Sequence, residues 1–465
     1  MADVSRRDLF RLMGAAGLGT VIPDLSASQT QTPVPTPDPS LPQINFSAYP
    51  PLARPISAIV LGYGGRGGYY GWMATQIPQE WQIVGVAEPI DYRREAAAKR
   101  HNLSEDRTFS TWEHVFDRPK FADAVVVSTQ DNMHTGPALR ALEMGYDVLL
   151  EKPIAQTWRE CEAIRKAAEK HNRIVAVCHV LRYAPYFMMM REVIRAGLIG
   201  DVVSIQHFEP VEHQHFSHSY CRGPWRNKKE STPIILAKAC HDLDILNYLV
   251  ERKAIRVAAT GDLSFFTEKN APKGAPKFCM DGCPVQSTCP YYAPDFYVHK
   301  KKWTTHYIIS RDRSDAAILE QLRKGQYGRC VFHCDNDVPD HMVTMLDYDG
   351  GVTASLHVEA MYGHHGRRTR VFGTQGHIDG DMDSMEIMQF MTGKTMRWET
   401  RMANTDLGGH GGGDMRLVRD FCQAVSARDP GKLTSNLANS MESHLTGFLA
   451  EESRLRKGAP RTIRG

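Results

Sequence analysis

Ala58-Ile-Val-Leu-Gly62-Tyr63-Gly64-Gly65-Arg66-Gly67-Gly68 is a short apolar run that closes on glycines. It reads as a buried parallel strand turning sharply into a helix N-terminus, where backbone N–H groups point outward at an anion. A pyrophosphate fits there. Gly62 makes the tight turn, Gly64 lets the backbone approach the phosphates, and Gly67 lets the helix pack closely on the strand, with Tyr63, Gly65 and Arg66 in the same cofactor loop. Alone, the pattern also fits an ordinary tight turn. The context decides, because a second apolar strand, Ile83-Val-Gly-Val-Ala87, ends in Glu88 at about 20 residues after the last glycine. A carboxylate there accepts both ribose hydroxyls of an adenosine and repels a 2′-phosphate. NAD is therefore expected over NADP, although Arg93 and Arg94 close behind weaken that preference.

From Arg54 onward, short apolar strands alternate with helical segments, as a doubly wound sheet requires. Strands are expected at 58–61, 83–87, 124–129, 147–150 and 174–178, and helices at 69–79, 93–101, 111–116, 137–144 and 186–196. Ligands of open parallel sheets lie beyond the C-terminal strand ends, so the loop carrying Thr129, Asn132 and His134 should edge the cofactor. The strand at 147–150 ends in Glu151-Lys152-Pro153, and a lysine there sits where a nicotinamide belongs. Partly desolvated, it polarises or deprotonates a hydroxyl; the bland alternative is a solvated lysine at a strand end.

Composition narrows the field. The 465 residues suffice for two domains, each with its own core. With 56 basic against 53 acidic residues, net +3 and no basic stripe, nucleic acid is not an expected partner. No apolar run reaches the ~18 residues that a membrane span needs. Ser5-Arg6-Arg7-Asp8-Leu9-Phe10-Arg11, followed by a modest apolar stretch, looks like a twin-arginine export signal over residues 1–30, the alternative being an amphipathic helix. Residues 31–54, rich in Pro, Ser, Thr and Gln, read as a linker unable to bury enough apolar surface to order itself. The dinucleotide domain then spans 55–183 and a second domain 184–465. Twin-arginine export carries folded proteins, so a periplasmic or otherwise exported protein with its dinucleotide already bound is expected.

In the second domain, 201–209 alternates like a half-buried antiparallel strand, and two hairpins turn at Asp349-Gly350-Gly351 and Thr374-Gln375-Gly376. His207, His213, His215 and His218 repeat no familiar ligand spacing, and a polar pocket mouth is expected there instead of a metal. Along 233–249, His241, Asp244 and Tyr248 share one helix face, which places Asp244 to orient His241 for proton transfer. The glycine-rich run 408–413 around His410 suggests backbone packed against a ligand, or a mobile lid. An insertion at 261–329 carries Cys279, Cys283 and Cys289, with Cys330 and Cys334 following on one face of a short strand. Disulfides are favoured, leaving one cysteine over; zinc is the alternative, although no Cys-x-x-Cys knuckle is present.

Gly62-x-Gly64-x-x-Gly67, Glu88, Ser128-Thr-Gln-Asp-Asn-Met-His134 and Glu151-Lys152-Pro153 together resemble the Gfo/Idh/MocA oxidoreductase family, which includes glucose–fructose oxidoreductase and inositol dehydrogenases. The resemblance covers residues of about 55–250 well and the remainder by architecture. It implies an α/β protein: a Rossmann domain, then a C-terminal α/β domain with a large, mostly antiparallel open sheet that covers the nicotinamide and forms a sugar pocket. It also implies a catalytic role for Lys152, an acid/base role for His241, and a place at cofactor or substrate for Arg182 and Tyr183. There is one departure. Family dehydrogenases usually carry an aspartate four residues before the histidine, whereas Ala237 stands here with Lys238 beside it, which allows Lys238 to bind an acidic sugar. The expectation is an exported, homo-oligomeric NAD(P)-dependent oxidoreductase acting on a carbohydrate by hydride transfer, with tightly held cofactor. A redox-neutral NAD-dependent glycoside hydrolase is the alternative, and a non-catalytic dinucleotide- and sugar-binding protein the third reading.

Overall fold

β1 (Ile56–Leu61) is almost wholly buried because it lies in the middle of a sheet covered on both faces. In a computed structural model that describes residues 36–300, 311–405 and 409–463, it is flanked by β2 (Trp81–Ala87) and β4 (Ala124–Val127). With β3 (Thr108–Phe109), β5 (Asp147–Leu150) and β6 (Val175–Val177), these form a six-stranded parallel sheet in the order β3-β2-β1-β4-β5-β6. Helices Gly65–Gln76, Asp91–His101, Thr135–Glu143 and Trp158–Lys170 connect the strands. The last starts on a capping box in which Thr157 and Glu160 satisfy each other's backbone N–H. The segment 111–116 holds only a single 3₁₀ turn at Glu113–Val115, and β3 is too short to leave a periodic signal.

The second sheet has nine strands in the order β14-β13-β12-β11-β7-β10-β9-β8-β15. They are β7 (Val202–Pro210), β8 (Ala254–Asp262), β9 (His341–Tyr348), β10 (Thr353–Glu359), β11 (Arg368–Gly373), β12 (Gly376–Gly380), β13 (Ser384–Gln389), β14 (Thr395–Glu399) and β15 (Arg461–Thr462). Only the β7–β10 pair is parallel. Both expected hairpins are present, as β9–β10 and β11–β12. Helices Cys240–Val250 and Leu437–Leu455 lie on the inner face, and the first of them is buried almost all round.

Three features depart from the sequence reading. The helix Gly409–Ala427 returns to the first sheet, where Leu417, Val418 and Phe421 share a core with Val60 and Trp81; the Trp81 and Phe421 rings lie 6.2 Å apart. The described part of the Pro-rich linker is docked, because Leu41 and Phe46 are buried in the second domain's core and Arg416 Nε donates to the Phe46 carbonyl at 3.0 Å. Two apolar anchors suffice where composition alone suggested none. All ten cysteines are free thiols, and Cys330 and Cys334 sit in a turn, not on a strand, with Cys334 Sγ donating to the Cys330 carbonyl. The twin-arginine stretch and Gly408 lie outside the described residues.

Candidate functional site

The glycine turn is built as tightly as its spacing demands. Gly62 has φ +85°, and a Cβ there would lie 2.7 Å from the Ser128 carbonyl oxygen. At Gly67 a Cβ would meet the Gly62 oxygen at 1.9 Å, so the helix is seated directly on the strand end. Gly64 caps the helix Gly65–Gln76, whose first amide groups have no partner within the helix and face the strand ends. Beside the turn, the buried Glu88 carboxylate accepts from the Tyr63 N–H at 2.7 Å and from the Ile90 N–H at 3.0 Å. Arg94 is committed to the Glu88 carbonyl and to Asp91. A pyrophosphate and a ribose diol fit this cradle. The Tyr63 ring turns inward, its hydroxyl 2.8 Å from His101 Nε2, leaving only its backbone at the turn.

The loop after β4 forms the next wall. Asn132 is exposed on it. The Thr129 hydroxyl donates to the Met133 carbonyl, and His134 is buried with Nδ1 2.7 Å from the Pro153 carbonyl and Nε2 3.3 Å from that of Thr129. His134 thus locks this loop to the one carrying Lys152. Glu151 is buried and accepts from Arg66 Nε at 2.5 Å and from the Tyr70 hydroxyl at 2.6 Å. Burial pushes its carboxyl up, but Arg66 and Tyr70 outweigh that and hold it below the usual range. Arg66 also donates to Asp414 at 2.7 Å, so its guanidinium is spent on two carboxylates.

Lys152 crosses between the domains: its Nζ donates to the Ala237 carbonyl at 2.6 Å, ahead of the helix that begins at Cys240. His241 lies near the start of that helix, buried, with no hydrogen-bond partner at Nδ1 among the described residues. Burial, reinforced by the Lys152 cation and by His179 and His410, holds its imidazole well below the ordinary histidine range, so it is neutral. The His410 ring lies 5.9 Å from that of His241, with its Nδ1 2.8 Å from Asp414. His410, Gly411 and Gly412 all have positive φ, which is why this stretch is glycine-rich. Lys238 pairs with the buried Glu209 at 3.3 Å; burial pulls its ammonium pKa down, opposed by Glu209. Arg367 bridges Glu209, at 2.8 Å, and Asp242, at 2.5 Å. His215 is held far below its ordinary pKa by burial and then by Lys238.

Several expected roles are corrected. Asp244 does not orient His241: its carboxylate takes Arg182 in two hydrogen bonds, at 2.5 and 2.9 Å, and lies 3.0 Å from His179. The i, i+3 spacing is real, but the helix is buried all round and a stronger cationic partner reaches Asp244 from another element. Arg182 therefore holds the helix to its own segment, also donating to the Thr434 carbonyl. Tyr183 is buried in the first domain's core with its hydroxyl 2.9 Å from Ser435 Oγ. His207 is wholly buried between Asp242 and Thr369, and His218 is bonded to the Tyr297 hydroxyl. His179, Cys240 and His444 bring ligand atoms within 4.8 Å of one another. His444 is nevertheless spent, with Nδ1 on the Ser440 carbonyl and Nε2 accepting from the Ile154 N–H.

Glu209 and Asp414 were missed as parts of the cluster. Asp414 stands four residues after His410, a legible spacing. Glu209 and Arg367 meet only because β7 pairs with β11, where Phe208 faces Arg368.

Comparison with known proteins decides the family. A model described as "Oxidoreductase family, NAD-binding Rossmann fold" matches residues 56–179, and one described as "Oxidoreductase family, C-terminal alpha/beta domain" matches residues 191–434. The chain belongs to the Gfo/Idh/MocA oxidoreductase family. A Bacillus subtilis (strain 168) protein named as an oxidoreductase, YteT, is 26% identical over 363 residues, 73% of this chain and 82% of that one. The 2,7-anhydro-N-acetylneuraminate hydratase of Mediterraneibacter gnavus is 26% identical over 206 residues, 42% of this chain and 50% of its own length. Levoglucosan dehydrogenase, solved with NADH and L-sorbose, superposes with a TM-score of 0.65 at 18% identity, over 88% of this chain and 99% of that one. Within this family the first sheet is the NAD-binding domain, in agreement with the glycine turn and Glu88.

Proposed function

We propose that this chain is an exported NAD-dependent oxidoreductase acting on a hydroxyl of a sugar or sugar derivative, with Lys152 and His241 as its proton-handling pair. The observation that carries the reading is the crossing of Lys152 from the end of β5 to the Ala237 carbonyl, four residues before His241. It sets a cation and a neutral buried imidazole at one place beyond the strand ends. NAD, when bound, supplies the hydride acceptor. His241 takes the hydroxyl proton at a ring nitrogen, and the Lys152 ammonium stabilises the developing oxyanion. His410, held by Asp414, borders the same space, and Lys238 with Arg367 gives it a cationic edge suited to an acidic substituent.

Lys152→Ala should leave the melting temperature and bound dinucleotide unchanged and abolish NADH formation across a panel of inositols, aldoses and uronic acids. Retained turnover overturns the role of Lys152. A redox-neutral elimination and hydration is the second reading, supported by the hydratase relative and by two imidazoles, His241 and His410, beside one lysine. Substrate consumed with no net NADH and no ketone would select it. Export rests on Arg6 and Arg7; Arg6→Lys with Arg7→Lys should retain the protein in the cytoplasm. Homo-oligomerisation is supported by the outer face of the second sheet, where Val343, Met345 and Phe372 are exposed. Light scattering of wild type and Met345→Lys tests it.

A further inference from the structure

Among the described residues of the insertion at 261–329, Phe296, Tyr297, Ile318 and Leu322 pack into a small core of their own, while Phe266 and Tyr291 reach the second domain's core. So small a separate core holds its part of the segment weakly unless something staples it. Cys279, Cys283, Cys289 and Cys330 line one cavity of about 10 Å³, room for a single water-sized sphere. A short backbone ladder brings two of them together: the Cys279 N–H donates to the Gly328 carbonyl and the Cys330 N–H to that of Lys277. Cys334, although close in sequence, does not line the cavity.

Arg222 lies against the same cavity and is completely buried. Its Nε and Nη2 donate to the carbonyls of Arg329 and Tyr291, Nη2 also lies 3.5 Å from Cys279 Sγ, and Nη1 has no partner. Among the described residues, no carboxylate lies within ion-pair distance of this guanidinium. A buried cation with no carboxylate partner is costly, and neither the Tyr297 ring, whose centroid lies 5.9 Å from Arg222 Cζ, nor four neutral thiols offset it. Four thiolates around a metal do, because such a centre carries net negative charge and accepts N–H···S hydrogen bonds.

We propose that Cys279, Cys283, Cys289 and Cys330 bind a thiolate-ligated transition-metal centre, with Arg222 as its buried counter-charge. All-sulfur ligation suits zinc or an iron–sulfur cluster. Arg222 ends the helical turn Ser217–Arg222, which follows directly on the turn His213–Phe216 that carries His215. The centre therefore staples the insertion to the wall of the candidate active site.

The full-length protein, purified anaerobically without chelator, is assayed for metals by plasma mass spectrometry, for acid-labile sulfide, and for disulfides by peptide mapping. The expected result is stoichiometric zinc, or iron with matching sulfide, and no disulfide among the four cysteines; sulfide distinguishes the two centres. Cys283→Ser and Cys289→Ser should each lose the metal while retaining NAD, whereas Cys334→Ser keeps it. Because ligand variants can misfold, wild-type protein is also stripped and reloaded with cobalt(II), whose thiolate complex is coloured. Wild-type protein lacking stoichiometric metal, a disulfide between any two of the four, or full metal in Cys283→Ser overturns the proposal.

Discussion

Gly64 and Gly67 stand in one turn but fail for different reasons when a methyl group is added, and the difference separates a cofactor cradle from a mere turn. In Gly67→Ala the new Cβ would sit 1.9 Å from the Gly62 oxygen, inside the 3.0 Å that real Cβ atoms respect. The helix must lift off the strand by about 1 Å or more, so both stability and dinucleotide affinity fall. In Gly64→Ala the nearest heavy atom is Arg93 Nη1 at 3.7 Å, an ordinary contact, so no clash lifts the helix, although φ −77° with ψ −146° lies outside alanine's usual wells. The fold therefore accepts it at a local cost of about 1–3 kcal/mol, which the thermal melt reads separately from affinity. A pyrophosphate drawn onto the helix N-terminus does not, because the methyl stands where the backbone must approach the phosphates. Losing one or two charge-assisted hydrogen bonds at about 1.5–3 kcal/mol each weakens NAD binding roughly ten- to ten-thousandfold. The assay is a fluorescence titration with NADH beside a thermal melt. Gly64→Ala with wild-type affinity would refute the assignment of this turn to a pyrophosphate.

Glu88→Gln removes the charge that repels a 2′-phosphate, and the ratio of NAD to NADP affinity should fall by about tenfold in competitive titrations. Asp242, Asp244 and Asp414 are pushed up by burial yet held well below the carboxylate range by Arg367, Arg182 and Arg66 respectively. Their stabilisation is complete above about pH 4 and lost as pH falls into their depressed range, so the part of the urea midpoint that they supply should be constant from pH 6 to 8 and lost below pH 4. Asp244→Asn should cost about 3–5 kcal/mol at pH 7 by leaving Arg182 buried and unpaired. Asp420 is the opposite case, pushed up to about 7 by burial against the pull of Tyr49 and Arg416. Its penalty is absent below the ordinary aspartate pKa and grows as pH rises towards 7; Asp420→Asn should raise the melting temperature at pH 8 and raise it less at pH 5.

The parallel sheet was legible because Ile56–Leu61, Ala124–Val127 and Asp147–Leu150 are buried on both faces and so apolar throughout. The glycine turn, Glu88 and Lys152 were legible because each is fixed within a few residues of a strand end. What local periodicity could not show was anything assembled across the chain. The buried pairs Arg182–Asp244 and Arg367–Glu209 join residues 62 and 158 positions apart. Asp244 was misread for that reason, since helical spacing gives a neighbour but not a competitor. The dense histidine run split the same way: His207 and His218 became interior hydrogen-bonding groups, while His215 went to the pocket wall.

The helix Gly409–Ala427 closes the underside of the parallel sheet, yet it is made roughly 250 residues after β6. At about 5–20 residues per second, a ribosome leaves that apolar surface waiting on the order of 12–50 s. Until then Trp81 and its neighbours lack their cover, and the nucleotide-binding half cannot mature as an independent unit during translation. A truncated nascent chain ending before residue 409 should depend on holdase chaperones, and the dinucleotide should be captured only once synthesis is nearly finished.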